Sequence, residues 1–300
     1  MGARDLVTLL LLSALWGASF IFIRVAVPEL GPFVLVEVRV GIAAVALALC
    51  AALLGRLPKL RVRWRQFVLL GTVNVAIPFS LISAAEINLT ASLAAILNST
   101  TVMFTALVAA VWMGDALTAR KVFGVVLGII GVTVLVGWDP IAMDWAVILS
   151  VGAMLAASFG YALGSVYAKQ TFVGSSPLAI AIGQLTAASM LMLPLAAASV
   201  PDQRPSTVVV LSVLGLALPS TAVAYMLYFR LIENVGPTKT LTVTFLIPVF
   251  GLLFGVLLLG EPVGVGTLVG FGIILYSVAL VTEVSLAGPK LEQDHPPSRG

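Results

Sequence analysis

The stretch PTKTLTVTFLIPVFGLLFGVLLLGEPVGVGTLVGFGIILYSVALVTE, residues 237–283, decides how the rest of the chain is read. It consists of two apolar runs joined by Gly260-Glu261-Pro262. Each run approaches the roughly 20 residues that cross the hydrocarbon core of a bilayer. A carboxylate beside a proline suits a turn outside the lipid and not a helix interior.

The same arrangement occurs once before. Residues 91–136 read ASLAAILNSTTVMFTALVAAVWMGDALTARKVFGVVLGIIGVTVLV. Placing Gly114-Asp115 on Gly260-Glu261 sets an offset of 146 residues, which also pairs Gly124 with Gly270 and Asn98 with Thr244. A glycine–acid turn between matching helix pairs points to an internal duplication. The copies differ where Val102 stands in place of Pro248 and Asp115 in place of the glutamate. Weaker matches pair Ala18-Ser19-Phe20 with Ala157-Ser158-Phe159, and Pro32 with Pro177.

Composition fixes the class. Hydrophobic residues make up 60% of the chain and charged residues 10%, with a mean hydropathy of +1.14; soluble domains carry about 25% charged residues. An all-α, polytopic membrane bundle follows. The single cysteine, Cys50, excludes an intrachain disulfide. The net charge of +3 is no nucleic-acid signal, because the basic residues sit where membrane topology wants them. The long first run, with Trp16 where small cleavage-site residues would stand, argues against a cleavable leader.

Ten spans can be drawn, near 6–27, 33–54, 66–87, 90–113, 120–137, 145–168, 176–199, 206–231, 237–259 and 264–283. Arg56, Lys59, Arg61, Arg63 and Arg65 follow span 2; Arg120 and Lys121 follow span 4; Lys169 follows span 6; Arg230 and Lys239 flank the next such loop. This bias puts both termini in the cytoplasm. Five spans per half is an odd number, so the second half must be inverted, with Asp115 on the cytoplasmic side and Glu261 opposite. The polar tail from Ser285, with the lone histidine His295, is expected to be disordered.

Pro248, the aliphatic run after it, Leu259-Gly260-Glu261-Pro262, Gly270 and its apolar helix resemble the helix pair closing each half of EamA-type transporters, in the drug/metabolite transporter superfamily. The resemblance extends from Trp16-Gly17 to Val281. It implies a first repeat over 1–140, an inverted second repeat over 141–284 and a cytoplasmic tail over 285–300. It also implies a secondary transporter in a bacterial inner membrane, most similar to the branch that exports amino acids, aromatic ones included.

Polar groups inside a membrane are costly unless they face a bundle interior or a wet cavity. Stripes at helical spacing therefore mark a candidate substrate cavity: Trp16 and Phe20 in span 1, Asn74 and Pro78 in span 3, and Asn98 and Thr101 in span 4. In the second half they are Ser158 and Tyr161 in span 6, Tyr225 and Tyr228 in span 8, and Thr244 and Pro248 in span 9. Ser165 and Thr221 lie on the same stripes. Pro78 and Pro248 are candidate hinges. Arg39 is expected to snorkel or to pair with Glu86 or Glu29, as a structural lock, in preference to holding a substrate carboxylate. The spacings Gly124-x-x-x-Gly128, Gly160-x-x-x-Gly164, Gly251-x-x-x-Gly255 and Gly266-x-x-x-Gly270 favour close helix packing within the bundle, a homodimer seam being the alternative to a monomer.

The expected partners are a small-molecule substrate and the lipid bilayer, with no cofactor, metal or nucleic acid. Neither a metal cluster nor a phosphate-cradling loop can be read from the sequence, and Ser–His catalysis would rest on His295 alone. The alternatives are export of drugs or of other metabolites, nucleotide-sugar-like ones included, and, ranked below these, a membrane protein with no transport role. No acid sits at the middle of any span to grip a cation.

Overall fold

The structure, a computed structural model, describes residues 2–138 and 144–282, and their side chains except those of Pro237 and Thr238. The tail from 285 lies outside the described residues. Among the described residues every regular element is helical. Seven helical stretches are long and apolar enough to cross a membrane: Ala3–Leu53, Leu60–Ala85, Ala91–Met113, Ala119–Gly137, Trp145–Thr171, Pro177–Ala197 and Thr207–Gly236. Val243–Leu259 and Val265–Val281 are shorter apolar helices.

The first element, α1 (Ala3–Leu53), covers two of the expected spans without an intervening loop. Its 51 residues would extend about 76 Å if straight, more than twice the roughly 30 Å of a hydrocarbon core. Gly31, just before Pro32, resolves this by leaving helical geometry at φ 70°, ψ 164°. A residue with a Cβ is strained at such a φ.

A short 3₁₀ turn, Leu60–Arg63, leads into α2 (Trp64–Gly71), a π-helical turn (Thr72–Ala76) and α3 (Ile77–Ala85). Then come α4 (Ala91–Asn98), α5 (Thr101–Met113), α6 (Ala119–Gly137), α7 (Trp145–Thr171) and α8 (Pro177–Ala197). They are followed by α9 (Thr207–Ala217), a second π-helical turn (Leu218–Val223), α10 (Ala224–Thr240), α11 (Val243–Leu259) and α12 (Val265–Val281). Side chains of Thr90, Asp144, Ser176 and Ser206 accept N–H bonds at the starts of α4, α7, α8 and α9, the usual N-cap chemistry.

Several features recur at the 146-residue offset. The two π-turns begin at Thr72 and Leu218, and α6 and α12 begin at Ala119 and Val265. Gly114 and Gly260 both end helices in the left-handed region, at φ 72° and 65°. The next amide closes each turn in the same way, from Asp115 to the Ala109 carbonyl and from Glu261 to that of Gly255. This is the bonding that ends a helix on glycine.

Small residues set the helix contacts, as expected where lipid is as apolar as any side chain. A Cβ on Gly17 would lie 2.7 Å from Phe250 Cβ, and one on Gly251 2.4 Å from Ala95 Cβ, so α1, α11 and α4 touch nearly backbone to backbone. Gly124 and Gly128 of α6 receive α12 at Val281 and Ser277. The glycine spacings of α6, α7 and α11 are thus used inside the bundle.

Candidate functional site

Helix α4 stops in the middle of the bundle. Asn98-Ser99-Thr100-Thr101 breaks it, and the hydroxyls of Ser99, Thr100 and Thr101 donate to the carbonyls of Ile96, Leu97 and Asn98 at 2.6, 2.7 and 2.7 Å. Freed carbonyls inside a membrane need such partners. The break brings Asn98 and Thr101 to the wall of a cavity of about 620 Å³. It runs past Trp16, Phe20, Asn74, Tyr161, Tyr225 and Tyr228 to Lys169, Phe172 and Pro177. That end carries the basic loop, since Arg63 donates to the Thr171 carbonyl and to Ser175 at 3.0 and 3.2 Å.

Eight of the twelve residues singled out from sequence therefore line one cavity. The other four lie elsewhere. Pro78 is buried against α7, its Cγ 3.1 Å from where a Cβ on Gly160 would be. Ser158 is fully buried in α7. The Thr244 hydroxyl turns back onto the Leu241 carbonyl at 2.7 Å, and Pro248 is buried within α11.

The walls are aromatic and hydrogen-bonded across helices. Trp16 and Tyr228 have ring centroids 5.4 Å apart; Tyr161 meets Phe79 edge-on at 6.2 Å. Asn74, raised on the first π-turn, donates to Gln184 of α8 at 2.9 Å, and Gln184 donates to the Tyr225 hydroxyl at 3.2 Å. Gln184 was not singled out from sequence. Its only signal is being an amide inside the apolar run of α8.

Arg39 departs from its expected role. It lines the cavity at 7% exposure. Its Nε donates to Thr221 Oγ1 at 3.1 Å, and its guanidinium carbon sits 3.8 Å from the Phe79 ring centroid. Among the described residues it forms no ion pair. Glu29 is engaged by Ser206, whose amide and hydroxyl donate at 2.8 and 2.9 Å. Glu86 is fully buried, and neither of its carboxylate oxygens has a partner. Helix packing, which the sequence does not display, keeps the anticipated partners apart.

At the end opposite the basic loop, hydrogen bonds tie the helices to one another. Arg24 donates to the Glu86 carbonyl and, at 3.0 Å, to that of Ile87. Glu29 of α1 holds the start of α9, as above. Glu261 holds the start of α4, accepting the amides of Ala91 and Ser92 at 2.7 and 2.9 Å. Carboxylates are favoured at helix N-termini by unpaired amides and by the helix dipole.

A model of the EamA-like transporter family matches the chain over residues 5–137 and again over 148–283. YedA of Escherichia coli K12, an uncharacterized inner membrane transporter, is 29% identical over 277 residues, covering 89% of this chain and 87% of that protein. An uncharacterized transporter of Archaeoglobus fulgidus is 22% identical over 278 residues, 92% of this chain and 97% of its own. A protein of Escherichia coli K12 named "Probable amino-acid metabolite efflux pump" is 26% identical over 274 residues, 87% of this chain and 89% of its own. A crystal structure of a protein 19% identical to this chain matches its fold with a TM-score of 0.67, covering 94% of this chain and 98% of that one. The chain belongs to the EamA-like transporter family.

Proposed function

We propose that the protein is a secondary transporter exporting amino acids, including aromatic and apolar ones, by alternating access between two inverted five-helix halves. The observation that carries this reading is the cavity. It is walled by both halves and reaches the basic end, while Glu29 and Glu261 tie helices together at the other end.

In this reading Ala3–Leu53 counts as two spans about Gly31, which makes ten. The features recurring 146 residues apart and the double family match support the two repeats. Ala91–Met113 is 23 residues long, about 34 Å of helix, so Asp115 sits a membrane's thickness from the helix start that Glu261 holds. Positive residues mark the cytoplasmic face, so the state described is open to the cytoplasm. Release of Glu261 from Ala91 and Ser92 would open the outer side. Asp115, its equivalent, would then take the backbone amide of residue 238, which stands 146 places after Ser92; the counterpart of Ala91 is Pro237, which has no N–H to give.

The amino-acid branch is favoured by the relative named as an efflux pump for amino-acid metabolites and by the aromatic walls. Export of organic cations is disfavoured: the charged residues of the lining are Arg39 and Lys169, with no acid among the described residues. The test is flux of labelled phenylalanine, tryptophan and leucine from proteoliposomes, with a cationic dye for comparison. Flux of the amino acids above empty vesicles is expected; flux of the dye alone would overturn the reading.

A further inference from the structure

We infer that Arg39 is the carboxylate-binding subsite of the cavity, so that its ligands are amphipathic molecules bearing a carboxylate beside an aromatic or apolar group. The inference rests on the transport reading for its setting and on separate geometry for its content.

A guanidinium cannot shed its charge inside a protein, and burying it without an anion is strongly unfavourable. The protein nevertheless supplies Arg39 with no hydrogen-bonded anion, and Glu86 acts on it only through space. Ser189 donates to Glu37 at 2.7 Å, Ser206 holds Glu29, and Glu86 makes no bond to it. What the protein supplies is orientation. Thr221 donates its own hydroxyl to the Leu216 carbonyl at 2.8 Å, a bond spanning five residues in the second π-turn. Its oxygen is thereby fixed as the acceptor for Arg39 Nε. Phe79 covers one face of the guanidinium. The two Nη nitrogens have no protein acceptor among the described residues, and they are not among the enclosed, unpartnered atoms, so they face the cavity.

Two parallel N–H groups on a fixed plane fit a carboxylate bidentately, a match that a lysine cannot reproduce. An anion arriving there supplies the directly bonded partner that the protein withholds. Tyr161 and Tyr225 line the same cavity and offer aromatic surface for the apolar part of the ligand. The Arg39 subsite thus defines a ligand class, and one narrower than that of a general metabolite exporter.

The test is calorimetric binding to the full-length protein in nanodiscs, using pairs that differ only in the carboxylate: phenylalanine against phenethylamine, and 3-phenylpropionate against 3-phenylpropanol. The wild type should prefer the carboxylate member of each pair by about tenfold or more, the scale of a charged hydrogen-bonded pair. Arg39→Gln should abolish the preference and Arg39→Lys should retain only part of it. Thr221→Val leaves the arginine in place and removes its orienting acceptor, so it should lower the preference severalfold even if Arg39→Gln fails to fold. Equal binding within each pair, no binding of any of the four, or a preference that survives Arg39→Gln or Thr221→Val overturns the subsite. Flux is measured alongside. Amino-acid export without an Arg39-dependent preference rejects the subsite alone, whereas the preference without export rejects the transport reading alone.

Discussion

Glu261 and Ser92, 169 residues apart in sequence, make two hydrogen bonds through one carboxylate oxygen: Oε2 accepts the Ser92 amide at 2.9 Å and its hydroxyl at 2.6 Å. The other oxygen takes the Ala91 amide, and Thr90 accepts the Leu93 amide at 3.2 Å. The start of α4 is thereby satisfied by an acid that belongs to the turn between α11 and α12. The glycine–acid turn thus serves as a clamp on the other half of the molecule as well as a reversal of the chain.

Breaking this clamp should shift the conformational balance. Glu261→Gln keeps one acceptor oxygen and loses the charge; Glu261→Ala loses both oxygens. Loss of an N-cap partner costs about 1 kcal/mol and up to 2, enough for a five- to thirtyfold change in population. In a Cys50→Ala background, a cysteine placed at Ser19 in the cavity should be labelled faster from outside in Glu261→Ala than in the parent. Asp115→Asn should slow that labelling if Asp115 forms the clamp proposed for the opposite state. Equal labelling rates in all three would dissociate the carboxylates from gating.

Gly255 makes room for the clamp. A Cβ there would stand 2.2 Å from Ser92 Oγ and 2.4 Å from Glu261 Oε2. Gly255→Ala should therefore lose the clamp and reduce the folded yield. Gly272→Ala, whose Cβ would meet nothing within 4 Å, should be neutral or slightly stabilising, since alanine is the better helix former by about 1 kcal/mol. Thermal unfolding in detergent compares the two directly. Equal midpoints would refute the close approach of α11 to α4.

Residue by residue, local chemistry was legible in the sequence and tertiary partnership was not. The turns at Gly114 and Gly260 could be read because a glycine, an acid and a flanking apolar run are neighbours in the chain. The cavity-facing stripes of α1, α4 and α10 could be read from helical spacing. The π-turns at Thr72 and Leu218 could not, because their sequences share no residue type at most matched positions and a bulge follows from packing. Arg39 is expected from sequence to form a lock because Glu86 and Glu29 lie in range. The structure gives Glu29 to Ser206 and leaves Glu86 with no bond to the arginine, an outcome set by the packing of distant helices. Gln184 has no polar neighbour on its own helix face, so periodicity had nothing to find.

The Asn74–Gln184–Tyr225 chain ties three helices together across the cavity wall. Gln184→Leu should leave Asn74 without its acceptor and Tyr225 without its donor. Hydrogen bonds between membrane helices average only about 0.6 kcal/mol in double-mutant cycles, with a maximum near 1.7. The variant should accumulate normally, then, while its substrate selectivity changes. A cycle of Asn74→Ala and Gln184→Leu should give a coupling in that range by thermal unfolding. Zero coupling would show that the two amides are neighbours without an energetic bond.

Trp16, Asn98, Tyr225 and Tyr228 provide the sharpest separation between a cavity wall and a packed core. A tryptophan fully packed in a core costs about 3–5 kcal/mol when cut to alanine. Trp16 is only half-buried and faces the cavity, with Tyr228 as its ring partner at 5.4 Å. Its truncation should thus cost little beyond the aromatic pair, about 0.5–1.5 kcal/mol. Asn98 has a stronger signature. Its Oδ1 is buried with no donor, so Asn98→Ala removes an unsatisfied group and should leave stability unchanged or raise it by up to about 1 kcal/mol. All four alanine variants should reach the membrane in normal amounts and change flux relative to folded protein, with different amino acids affected to different degrees. The measurement is proteoliposome flux for phenylalanine, tryptophan, leucine and alanine, normalised to monodisperse protein, together with each unfolding midpoint. Loss of folded protein in Trp16→Ala together with unchanged specific flux in the other three would make these residues core and empty the cavity of its proposed role.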